Sequence, residues 1–154
     1  METLEQFLLD RGYTKVKMKR NATNHFEIKA SINGVKGTFI LDTGASSSCV
    51  GFEAAKTFSL KVEDSEIKAT GAGASNMNTQ LSKKNRIKIG KWKHEKVALI
   101  LFNLMHVNEG LMSQNADPVD GIIGADILKN SKAIIDYEKK YLYLKLSTKK
   151  ASKN

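Results

Sequence analysis

The sequence predicts an all-β, barrel-like fold in a single domain. Apolar residues recur at the two-residue period of half-buried strands in several short runs. An Asn-Gly pair, Asn33-Gly34, sits between two such runs and is a strong short-range hairpin signal. Segments with helical spacing are few and short. A length of 154 residues suits one domain with one modest core.

Leu4, Phe7 and Leu8 recur at helical spacing and Gly12 follows as a stop, so the first eleven residues read as a short helix. Phe26, Ile28, Ala30 and Ile32 alternate with polar neighbours, and Val35 to Leu41 forms the return strand after the Asn33-Gly34 turn. Phe52 to Ser59 reads as a short helical turn. Glu66 to Thr70 reads as a strand that runs into Gly71-Ala72-Gly73-Ala74. Arg86 to Ile89 and Trp92 to Phe102 make a second hairpin about Gly90-Lys91. Asn103 to Pro118 reads as a loop holding a helical turn. A short strand, Gly121 to Ile123, leads into a helix from Ala125 to Asn130, and a last hairpin joins Ala133–Tyr137 to Tyr141–Leu146. Many short strands with few helices favour a barrel.

Composition narrows the function classes. Hydrophobic content of 41% and charged content of 27% are ordinary for a globular protein. The longest apolar run, Val97 to Phe102, is far shorter than a membrane span, so no membrane partner is expected. No basic segment leads into an apolar stretch at the N-terminus, which gives the cytoplasm as the expected address. The one cysteine, Cys49, excludes an internal disulfide and a thiolate metal cluster, and reads as a small buried hydrophobe. No metal site or cofactor is expected. The net charge is +9, but the lysines are scattered and no aromatic residues interleave with a basic stripe. Nucleic acid is therefore not an expected partner.

The informative chemistry begins at Thr38-Phe39-Ile40-Leu41-Asp42-Thr43-Gly44-Ala45-Ser46. An apolar strand ends in a carboxylate, a hydroxyl and a glycine. The strand carries Asp42 to the rim of the core, and Gly44 lets the backbone fold tightly enough to aim N–H groups at the carboxylate. Asp, Thr and Gly also favour ordinary surface turns. Gly71 to Ala74 could form the tip of a mobile flap or an ordinary loop, and it lacks the spacing of a phosphate-binding loop. Asp120-Gly121-Ile122-Ile123-Gly124-Ala125-Asp126-Ile127-Leu128 reads as a strand-to-helix junction. What distinguishes the chain is the order of these three features.

In that order the sequence resembles the retropepsin-like aspartic peptidases, the family of retroviral proteases and their cellular and bacterial relatives. Ile40 to Ala45 resembles the active-site loop, Gly71 to Ala74 the flap tip, and Ile122 to Leu128 the apolar-glycine motif with its closing helix. Viral members usually have an acid after Asp-Thr-Gly-Ala and an arginine after Ile-Ile-Gly. Here those places hold Ser46 and Ala125, which suggests a cellular or bacterial member.

The resemblance implies a single-domain closed β-barrel with a short helix in its C-terminal half. An N-terminal helix and first-strand extension would occupy residues 1–23, the peptidase domain 24–146 and a basic tail 147–154. It implies an aspartic endopeptidase, active as a homodimer on peptide or protein substrates. Asp42 from each subunit would be catalytic, and Thr43, Gly44 and Ala45 would form the active-site loop. Gly71, Ala72, Gly73 and Ala74 would form the substrate-binding flap, with Ile122 and Ile123 in the pocket. The alternative of the same fold is a non-catalytic dimeric peptide-binding module.

Overall fold

The structure, a computed structural model, describes residues 1–71 and 74–147, with side chains outside 65–77. In chain order the elements are α1 (Leu4–Leu9), β1 (Tyr13–Lys17), β2 (Lys19–Arg20), β3 (Phe26–Ile32), β4 (Val35–Leu41), β5 (Cys49–Gly51) and α2 (Ala54–Thr57). They continue as β6 (Glu63–Gly71), β7 (Ala74–Ile89), β8 (Trp92–Phe102), α3 (Met105–Ser113), β9 (Gly121–Ile123), α4 (Ala125–Asn130), β10 (Ile134–Asp136) and β11 (Tyr141–Lys145).

β3 and β4 form the expected hairpin, with Ile32 opposite Val35. Asn33 and Gly34 take φ of +52° and +89°, the left-handed pair that matches a hairpin's twist. Asn33 also anchors the hairpin tip. Its Nδ2 donates to Phe58 O and to Asn85 Oδ1, both at 3.0 Å, and its Oδ1 accepts from the Arg86 N–H.

From β4 the hydrogen-bonded order runs through β9, β5, β8 and β7. It returns to β3 where Ser31 and Ile32 pair with Lys88 and Ile87, which closes a six-stranded barrel. Two contacts in the ring are parallel, β4 with β9 and β5 with β8. β2 extends the ring beside β3, and β6 extends it beside β7. The alternation read in β3 holds: Phe26, Ile28, Ala30 and Ile32 are buried. They join Phe39, Phe58, Leu99, Leu101 and Ile123 in the main core. A second cluster, around Ile40, Phe102, Leu104, Leu111 and Val119, seats α3 against the barrel.

The C-terminal hairpin pairs with β1, so β1, β11 and β10 form a separate three-stranded sheet. α1 packs beside β1. Its start carries a reciprocal cap between Thr3 and Gln6, and Leu8 is buried.

Several boundaries differ from the sequence reading. β7 begins at Ala74 rather than Arg86, because its polar first half is held by backbone pairing with β6 and β8 rather than by an apolar face. β5 was not anticipated: three residues are too few to show a period. The expected loop from Asn103 to Pro118 contains a nine-residue helix, α3. Among the described residues no helix is long and apolar enough to cross a membrane.

Candidate active site

β4 runs through the core and delivers Asp42 at its end. The parallel neighbour β9 fixes that end: Leu41 pairs with Ile123, and the Asp42 N–H donates to Ile123 O at 3.0 Å. The chain then turns sharply. The Gly44 N–H donates to Asp42 Oδ1 at 2.9 Å, and the Ala45 N–H donates to Asp42 O at 3.2 Å. Asp42, Thr43 and Gly44 are exposed, and Ala45 is half-buried. The loop therefore presents a carboxylate at the surface, with a backbone donor holding its orientation.

A second set of contacts locks the loop from behind. Ser48, fully buried, donates from its hydroxyl to Asp126 Oδ1 at 2.7 Å and accepts from the Gly124 N–H at 2.8 Å. The Ser48 N–H donates to Asp126 Oδ2 at 3.0 Å, and the Ala125 N–H donates to Ala45 O at 2.7 Å. Gly124 is required by this approach, since a Cβ there would lie 2.6 Å from Ala45 O. Asp126 therefore supports the loop. Asp120 serves the strands instead: its Oδ2 accepts from the Thr38 N–H at 2.9 Å.

Asp42 opens onto a cavity of about 430 Å³. Ile40, Ile122, Val107 and Leu111 give it apolar walls, and His25, His106 and Gln114 give it polar ones. Asp42 is the only carboxylate among its described lining residues. Thr43 lines a different hollow, about 310 Å³, with Ala125, Leu128, Lys132 and Ile135.

Of the residues singled out from the sequence, Asp42 and Ile122 meet in the first cavity. Ile123 does not line it, because one step along β9 turns that side chain into the core, where it is 1% exposed. The backbone of Gly71 at the end of β6 pairs with that of Ala74 at the start of β7, while Ala72 and Gly73 lie outside the described residues. His25, His106 and the α3 wall were not anticipated, since nothing in their local sequence ties them to Asp42.

Cys49 stands close to this site. Burial pushes its thiol up to about 11, and the negative charges of Asp126 and Asp42 add to the rise. Its Sγ donates to Ser47 O at 3.2 Å. Such a thiol stays protonated and is a poor nucleophile. Among the described residues no group of three or more His, Cys, Asp or Glu side chains could hold a metal ion.

Residues 28–127 match the family described as aspartyl protease. A sequence search of curated proteins finds no match. Among solved structures, the chain is similar to a retropepsin-like aspartic protease from Rickettsia conorii, at 25% identity and a TM-score of 0.56, over 86% of this chain and 89% of that one. It is similar to EIAV protease complexed with the inhibitor HBY-793, at 19% identity and a TM-score of 0.54, over 73% of this chain and 92% of that one. It is also similar to the retroviral protease-like domain of Ddi1 from Leishmania major, at 16% identity and a TM-score of 0.52, over 78% and 87% of the two chains.

Proposed function

This chain belongs to the aspartyl protease family, with a retropepsin-like fold, and from that premise we propose that it is an endopeptidase built from two copies of itself. The observation that carries the reading is the Asp42-Thr43-Gly44 turn. Its backbone is tied to β9 through Ile123 O and to α4 through Ala45 O, yet it exposes its carboxylate beside a cavity with apolar walls.

Peptide hydrolysis by carboxylates needs two of them. Like charges a few ångströms apart cannot both ionise cheaply, so a close pair shares one proton. The lining of the Asp42 cavity supplies one such acid per chain. Pairing about a two-fold axis supplies the other as Asp42 of a second copy. The ionised Asp42 then takes a proton from a water molecule as its oxygen bonds to the scissile carbonyl carbon. The protonated Asp42 gives its proton to the carbonyl oxygen. The Asp42 that took the water's proton then gives it to the amide nitrogen as the C–N bond breaks, and the other Asp42 recovers its proton from a hydroxyl of the intermediate as the carbonyl reforms.

The exposed Thr43 is suited to bracing one loop against the other across the axis, and Gly44 keeps the turn tight. Ala45 anchors the loop to α4 through its carbonyl. Ile122 contributes to the wall that receives a substrate side chain. Gly71 to Ala74 would cover a peptide bound in extended form.

Asp42→Asn tests the assignment. The variant should retain the fold, because the side chain is exposed and an amide oxygen can still accept from the Gly44 N–H. Its cleavage of a peptide library between pH 4 and pH 7 should fall by at least about a hundredfold. Parental cleavage rates in a folded variant would refute the role of Asp42.

A further inference from the structure

We propose that the outer face of β3 and β4 carries an anion-binding groove, separate from the Asp42 cavity, that docks a glutamate- or aspartate-rich segment of the polypeptide substrate. The occupant's role as substrate rests on the peptidase reading; the groove's affinity for carboxylates does not.

Two adjoining cavities, of about 650 and about 590 Å³, share Lys29 and Thr38 in their walls. The fold brings cations to them from distant parts of the chain. Lys36 on β4 and Lys88 on β7 line the first cavity. Lys17, Lys19, Arg20 and Lys140 line the second. All of these side chains are exposed, and Lys29 with them. Three carboxylates face them: Glu27, Asp117 and Asp120. Glu27 Oε2 already accepts from Asn21 Nδ2 at 2.8 Å, and Asp120 Oδ2 accepts from the Thr38 N–H.

The cations are not absorbed by internal pairing. The ion pairs among the described residues, Lys15–Glu5 at 3.0 Å and Lys83–Glu63 at 3.8 Å, involve none of them. Lys29 donates to Thr38 Oγ1 at 2.7 Å, and Arg20 lies over the Phe26 ring at 5.4 Å. A concave surface floored by the buried residues Met18, Ile28 and Ala30 concentrates the field of such a cluster.

An acidic polypeptide fits this groove better than nucleic acid does. Among the described residues none that lines the groove is aromatic, so unpaired bases have no platform there on which to stack. The groove also lies along β4, the strand that leads into Asp42. Thr38 on β4 is four residues before Asp42, a rise of about 13 Å, which an extended chain leaving the catalytic cavity spans in about four or five residues.

Binding should be measured on the Asp42→Asn protein, so that peptides are not consumed. Fluorescently labelled hexaglutamate is titrated against hexaglutamine, with an oligouridylate as the nucleic-acid arm. Hexaglutamate should bind at least about tenfold more tightly than hexaglutamine at low salt, and this advantage should fall as salt rises. It should also be lost in a variant combining Lys19→Gln, Lys36→Gln and Lys88→Gln. Equal binding of the two peptides, or an advantage that survives the triple substitution, would overturn the groove. Oligouridylate binding more tightly than hexaglutamate would overturn the choice of an acidic polypeptide. Because binding is read on a non-cleaving protein, failure here is distinguishable from failure of the peptidase reading.

Discussion

Ser48 shows how much one hydroxyl does in this loop. It joins the strand that follows the acid turn to the glycine and the aspartate of the β9–α4 junction, and it has no exposure to water. Ser48→Ala removes the acceptor for the Gly124 N–H and one donor to Asp126 in a buried place. The expected cost is about 1–3 kcal/mol. Thermal unfolding should register it as a melting temperature lower by several degrees. An unchanged transition would mean that the contact contributes nothing net. Cys49, next in sequence, gives a prediction in pH. Its folded thiol titrates at about 11, above the ordinary value of 9.0. Between those values the unfolded thiol releases its proton while the folded thiol keeps it. The folded state therefore binds more protons, and stability falls as pH rises through that window. Denaturant titrations of the parent and of Cys49→Ala should diverge there, with the parent losing about 2 kcal/mol more. Parallel pH profiles would refute the burial argument.

Among the elements, α3 has most to say about the cavity. Leu111 is buried in the second core cluster and also lines the Asp42 cavity with Val107 and Gly110 from the same helix. Asn103 Oδ1 accepts from the Met105 N–H at the helix start, and Asn108 is tied at both ends of its amide to the backbone of Val119. The helix is therefore a fixed wall. Leu111→Ala should cost about 2–4 kcal/mol in denaturant unfolding. It should also raise KM for good peptide substrates more than it lowers kcat, since it reshapes the wall and leaves the acid turn in place. A pure kcat loss would show that α3 acts on the turn itself.

At the scale of the molecule, the proposed pairing of two chains makes activity a function of concentration. On the proposed mechanism each catalytic centre takes one Asp42 from each of two chains, so turnover per subunit should fall steeply on dilution below the dimer dissociation constant, while the subunit's own barrel remains closed. Initial rates over a thousandfold dilution series, set beside sedimentation of the same samples, test this. Undiminished activity from a species of single-chain mass would reject the paired-acid mechanism.

Local sequence determined what local physics controls. Period-two alternation marked β3 and β4, Asn33-Gly34 marked their turn, and an apolar strand ending in Asp-Thr-Gly marked the acid loop, because each depends on neighbours along the chain. The strand-to-helix junction at Gly124 was legible for the same reason. Tertiary structure decided the rest. β5 and the polar half of β7 exist because partner strands satisfy their backbone groups. Which of Ile122 and Ile123 reaches the cavity depended on the pairing of β9 with β4, since adjacent residues face opposite sides of a strand. His25, His106 and α3 came beside Asp42, and Ser48 met Asp126, only through tertiary packing, and lysines scattered along the sequence became neighbours only when β1, β3, β4 and β7 were assembled. Proximity between residues far apart in sequence is created by long-range strand pairing, and no local pattern encodes it.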